Sequence, residues 1–133
     1  LHAARIAADW VTQLTRGRVR AFAVDAHDVG TGAFPVQSGD QIVVISHRGK
    51  KMYPLAALAR GRAAGCLTVA IVGDAAPEQP ADITLRTCAN ESAGTFSVSY
   101  LASLAALAKL VAATFPAEAS PFATGIAALP EAI

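Results

Sequence analysis

The six residues Ser46-His-Arg-Gly-Lys-Lys51 carry the densest chemistry in the chain. A serine hydroxyl, a glycine that admits close backbone approach and three cations stand between an apolar run, Gln41–Ser46, and a helical pattern starting at Met52. Free N–H groups at a helix N-terminus bind anions, and the aligned peptide dipoles add to the attraction. Exposed cations at that end oppose the dipole by a few tenths of a kcal/mol each, roughly. A bound phosphate reverses that sign; the competing reading is a solvated basic turn with no ligand. A second cluster is Asp25, His27 and Asp28, which share the end of an apolar run. A metal site needs a third ligand in the right place, and none is legible, so a capped turn is expected and no metal. Ser46 and His47 do not make a nucleophile–base pair, because neighbouring side chains seldom meet and no G-x-S-x-G elbow is present. Cys66 and Cys88 flank apolar runs without metal-ligand spacing and read as reduced thiols near the core, which fits a cytoplasmic protein.

The elements that must position this loop follow from periodicity. Ile6, Trp10 and Leu14 mark one face of a helix over residues 3–14, stopped by Gly17. Arg18–Val24 reads as a short strand, followed by the polar turn Asp25–Asp28 and a loop marked by Gly30, Gly32, Pro35 and Gly39. Gln41–Ser46 and Leu67–Val72 are apolar throughout rather than alternating, the pattern of strands buried on both faces of a parallel sheet. Met52–Ala64 is a helix ended by Gly65, and Asp82–Thr87 is a shorter strand after a proline-rich loop. The last helix runs from about Gly94 to Phe115, with Phe96, Tyr100, Leu104, Leu107, Val111 and Phe115 at three- and four-residue steps. Trp10 and Tyr100 are expected in the core.

Strands alternating with amphipathic helices predict an α/β fold with an open, mostly parallel sheet of four strands or more and helices on both faces. Ligands of such sheets sit beyond the carboxyl ends of the strands. At 133 residues and 53% hydrophobic, the chain supports one core and is not a disordered tail. Eleven basic against ten acidic side chains leave a net charge of +1, which excludes a basic stripe for nucleic acid. No uninterrupted apolar run approaches the ~20 residues of a membrane span. The first residue, Leu1, is not methionine and lies inside a helical pattern, so a preceding segment is expected. Residues 1–116 are expected as the domain, and residues 117–133 as a C-terminal extension or the start of a linker.

Several motifs resemble one family in the right order. Gly39-Asp40-Gln-Ile-Val-Val-Ile-Ser46-His-Arg-Gly49-Lys-Lys51 is similar to the strand–loop motif G-D-hydrophobic-I-x-I-S-x-S-G-x-T of the sugar isomerase (SIS) domain. Leu55–Leu58, the run from Ala63 to Ile71, Ala81-Asp82 and the segment opening at Glu91 resemble its continuation. Residues 127–133 resemble the connection between the two SIS domains of glucosamine-6-phosphate synthases. The resemblance implies a three-layer, flavodoxin-like domain that binds phosphorylated sugars, uses no cofactor, and works as a homodimer or beside a second SIS domain. The family's first strand and its glycine-rich loop have no counterpart from Leu1 onward, so residues 19–24 are expected to be poorly paired or paired through another chain.

Residue by residue, the resemblance places Ser46, His47, Arg48, Gly49 and Lys51 at the phosphate, with Arg48 and Lys51 replacing hydroxyl residues. It places Gly94 and Ser97 in the second binding loop, where Val98 stands in place of a lysine. Glu91 is the candidate general base, since an aldose–ketose shift moves a proton between neighbouring carbons. A carboxylate that favours the dipole of the last helix is its competing role. The implied function is a phosphosugar-binding SIS domain of an isomerase, or of the isomerase half of a glutamine–fructose-6-phosphate aminotransferase. The alternative is a non-catalytic SIS module acting as a sugar-phosphate sensor or dimerisation scaffold. A receiver or nucleotide domain lacks the acidic cluster or glycine fingerprint it would need.

Overall fold

The computed structural model describes residues 1–89, 91 and 95–132. Among them the elements are α1 (His2–Leu14), α2 (Ala26–Thr31), β1 (Gln41–Ile45), α3 (Met52–Ala63), β2 (Leu67–Val72), β3 (Ile83–Arg86), α4 (Ser97–Thr114) and α5 (Ser120–Ala132). The chain divides into two compact units, Leu1–Ala23 with Leu104–Ile133, and Val24–Ser103.

The second unit holds an open parallel sheet in the order β1-β2-β3, with Val43 beside Val69 and Val69 beside Ile83. α3 joins β1 to β2 and packs on both, while α2 packs on α3. Side chains alternate along a strand, so Val44, Ala70 and Val72 share the face that meets Val29 of α2 and Ala57 and Leu58 of α3. Val69 and Ile71 point the other way and are buried as well, which is why β2 is apolar at consecutive positions. The parallel pair β2 and β3 is joined by residues 73–82 without a helix. Asp82 anchors the end of that connection. Its carboxylate accepts from the Thr68 N–H at 2.8 Å and the Thr68 hydroxyl at 2.7 Å. These bonds, the hydroxyl's first, hold the Asp82 carboxyl below the usual carboxylate range.

Three expectations are corrected here. Among the described residues the sheet has three strands rather than four or more, and Arg18–Val24 is in no strand. Its β-branched and aromatic residues suit a pleated surface, but that preference yields to context, and Val19 and Phe22 are exposed. The Asp25–Asp28 turn and Gly30 belong to the cap and body of α2, a six-residue helix, and the loop begins at Gly32. The Asp25 side chain accepts the His27 N–H at 2.9 Å, a standard way to satisfy a helix start. Tyr100 is exposed rather than in the core. α4 is apolar on nearly every side, and spacing identified its buried face only in part: Leu107 and Val111 are buried as expected, but so are Ser99 and Ser103, while Phe96 is exposed.

In the first unit, Trp10 of α1 is half-buried and meets Phe122 of α5 edge to face, ring centroids 5.0 Å apart. Arg18 pairs with Glu118 at 2.5 Å. α5 occupies most of the segment read as an extension. By length and composition α4 is able to cross a membrane, a property that core helices share.

Candidate functional site

Ser46 directly follows β1 and is buried, its N–H donating to the Ile71 carbonyl at 2.9 Å. The Gly49 N–H then returns to the Ser46 carbonyl at 2.8 Å, so residues 46–49 form a tight turn. That turn brings Gly49 to φ +61, a region that costs a residue with a side chain about 1–2 kcal/mol. Space is a second constraint, since a Cβ on Gly49 would lie 2.5 Å from Nε2 of Gln79. Gln79 is buried and donates to the carbonyls of Gly49 at 3.1 Å and Pro77 at 2.7 Å. It therefore braces the turn from beneath.

After the turn the chain enters α3 with Lys51 as its N-cap residue, without a side-chain cap and with no acidic residue in the first turn. The N–H groups of Lys50, Lys51, Met52 and Tyr53 donate no hydrogen bond among the described residues, and Pro54 has none to donate. Four donors and a positive helix end thus converge where Arg48, Lys50 and Lys51 are exposed. None of these three cations forms an ion pair among the described residues. Chemically, such an arrangement is able to hold a compact anion.

His47 lies in the turn with its ring against Gly73, the residue that follows β2. A Cβ there would sit 2.6 Å from the ring's Cε1 and 2.9 Å from the His47 carbonyl oxygen. The Gly73 N–H donates to that carbonyl at 2.7 Å. Both ring nitrogens are sealed from solvent and have no partner among the described residues. Arg48 places its guanidinium 5.9 Å from the centre of the exposed Phe96 ring, which links the turn to the approach of α4.

Glu91 reaches the start of α4. Its carboxylate accepts from the Ser99 hydroxyl at 2.6 Å, the Ser99 N–H at 2.8 Å and the Val98 N–H at 3.1 Å. The two Ser99 bonds are the chief reason its carboxyl lies below the usual range, and the Val98 N–H and the nearby His47 add to the effect. Ser97 opens α4 and is exposed, its hydroxyl 3.3 Å from that of Thr95. Gly94 lies outside the described residues.

The structure thus brings Ser46, His47, Arg48, Gly49 and Lys51 into one turn, while the Glu91 carboxylate is engaged with Val98 and Ser99 at the start of α4. Ser97 stands at the start of α4 and makes no contact with the turn that the structure shows. Sequence reasoning missed Gln79 and Ser99. Gly73, a glycine directly after a buried strand, lies at one of the strand ends where the sequence pointed to a ligand site.

Comparison of the chain with known protein families and with curated proteins finds no match. The functional reading rests on the resemblance of its motifs and on this geometry.

Proposed function

We propose that this chain is a phosphosugar-binding domain of the SIS type, with the Ser46–Lys51 turn and the first turn of α3 as its phosphate site. The observation that carries the reading is the set of uncommitted N–H donors at residues 50–53, framed by three unpaired cations at the carboxyl end of β1. The finer architecture belongs to the same proposal: a three-layer, flavodoxin-like domain with helices on both faces of the sheet, lacking the family's first strand. So do a cytoplasmic location, the absence of any cofactor, and pairing with a second copy or a second SIS domain. In a complete isomerase, or in the isomerase half of a glutamine–fructose-6-phosphate aminotransferase, such a domain supplies the phosphate grip.

A second reading, a non-catalytic sugar-phosphate sensor or scaffold, is favoured by Glu91. A general base works best with a pKa near the operating pH, whereas three hydrogen bonds hold this carboxylate ionised and occupied. Arg48 and Lys51 also stand where the family's loop carries hydroxyls.

The test is thermal unfolding with hexose 6-phosphates against the unphosphorylated sugars. A ligand that binds only the folded state, at about 100 times its Kd, stabilises by roughly 2.7 kcal/mol and raises the Tm by several degrees. The shift should appear with phosphorylated sugars only and vanish in a Ser46→Ala, Lys51→Ala double variant. Equal shifts in both proteins, or none with any phosphate, would contradict the reading. Turnover of fructose 6-phosphate by the purified chain would support the isomerase, although a single domain that supplies only the phosphate grip is expected to show none on its own.

A further inference from the structure

We propose that His27, oriented by Asp28 and in edge-to-face contact with Tyr53, recognises the hydroxylated part of a sugar whose phosphate is held by the Ser46–Lys51 turn; this rests on the phosphate reading of that turn. Tyr53 is the connecting residue. It is the second residue of α3, and its N–H is one of the uncommitted donors. Helical side chains tend to lean toward the N-terminus of their own helix, which for Tyr53 is the end where the phosphate would sit. Tyr53 is 39% exposed.

The His27 imidazole meets it edge to face, centroids 4.6 Å apart at 71°. Nδ1 of His27 lies 3.1 Å from Oδ1 of Asp28. In a neutral ring that bond keeps the proton on Nδ1 and leaves Nε2 as an acceptor. Nε2 has no partner among the described residues, and about half of each side chain is exposed. The pair is therefore oriented, accessible and uncommitted.

The two helices that carry it are fixed by the core through Val29 on α2 and Ala57 and Leu58 on α3, so the imidazole is placed by packed elements rather than by a mobile loop. An aromatic edge beside an imidazole suits a sugar, which presents both C–H faces and hydroxyls. Glu91 offers no such group, because its oxygens already hold Val98 and Ser99. Inorganic phosphate carries no hydroxylated carbon skeleton for His27 to recognise, and a hexose 6-phosphate does. That difference is the measurable consequence.

The experiment follows backbone amides and histidine ring nitrogens of the 15N-labelled chain by NMR during titration with inorganic phosphate and, separately, with glucose 6-phosphate. The amides of Lys51, Met52 and Tyr53 should move with both ligands, and the His27 ring nitrogens with glucose 6-phosphate only. His27→Ala should weaken glucose 6-phosphate about tenfold, roughly 1.4 kcal/mol, and leave inorganic phosphate unchanged. Tyr53→Leu, which keeps the helix and its N–H but removes the ring, should likewise weaken glucose 6-phosphate. If glucose 6-phosphate moves the α3 amides but not the His27 ring, or if His27→Ala weakens both ligands alike or neither, the His27 assignment is wrong and the phosphate site stands. If neither ligand moves the amides, both fail together.

Discussion

Replacing Gly49 by alanine tests how the turn is held. Two costs are readable from the structure. The φ of +61 puts a side chain in the left-handed region, at about 1–2 kcal/mol. The new methyl would also lie 2.5 Å from Nε2 of Gln79 and 3.0 Å from the Ala76 Cβ. Moving Gln79 aside breaks its bonds to the Gly49 and Pro77 carbonyls and leaves buried polar atoms unsatisfied, a further cost of about 1–3 kcal/mol. The sum, roughly 2–5 kcal/mol, is a large part of the 5–15 kcal/mol typical of a folded domain. Gly39 supplies the comparison, since its φ is +91 but a Cβ there meets nothing within 4 Å. Gly39→Ala should therefore cost only the strain. Urea unfolding of both variants, and of Gly49→Ala in a Gln79→Ala background, separates the terms. Gly49→Ala should exceed Gly39→Ala by about 1–3 kcal/mol, and most of the excess should disappear without Gln79. Equal costs for the two glycines would refute the bracing role of Gln79.

Other outcomes follow from the same geometry. The Asp82 and Glu91 carboxyls lie below their ordinary values, so their contribution to stability is complete above the unfolded-state pKa. It should be lost as pH falls below about 4.5. Urea midpoints between pH 7 and 2.5 should show that loss, and Asp82→Asn with Glu91→Gln should flatten it. Glu91→Gln replaces a charged acceptor by a neutral one, so hydrogen exchange at the Val98 and Ser99 amides should quicken while exchange in β2 is unchanged. Gly73→Ala should push the His47 ring from its place and lower the Tm, and His47→Ala in the same chain should recover part of the loss. No recovery would mean that the clash with the His47 carbonyl, not the ring, is decisive.

The strands β1 and β2 were legible because consecutive apolar residues have few other uses in a short run. α3 was bounded by its own signals, with Gly65 after its end. Arg18–Val24 shows the limit of that reasoning: Val19, Phe22 and Val24 have strand-like character, yet a strand also needs a partner, and composition does not supply one. α2 was missed because six residues containing Gly30 give no periodicity, although Asp25 ahead of it was a usable cap signal. The Ser46–Lys51 turn was visible as chemistry, but its support was not. Gln79 is a polar residue in a proline-rich loop, and nothing in its neighbours marks it as buried. Glu91 was legible as a carboxylate ahead of a helix, whereas its grip on Ser99 depends on how residues 95–97 enter α4.

The central claim is that the start of α3 binds phosphate, and the most direct measurement is isothermal titration of the chain with glucose 6-phosphate and with glucose. The account predicts a saturable heat at one site for glucose 6-phosphate and none for glucose. It also predicts that affinity falls as salt rises, because exposed cations supply part of the attraction, and that Lys51→Ala weakens it. Binding of glucose as tight as that of glucose 6-phosphate, or no binding of either, would contradict it.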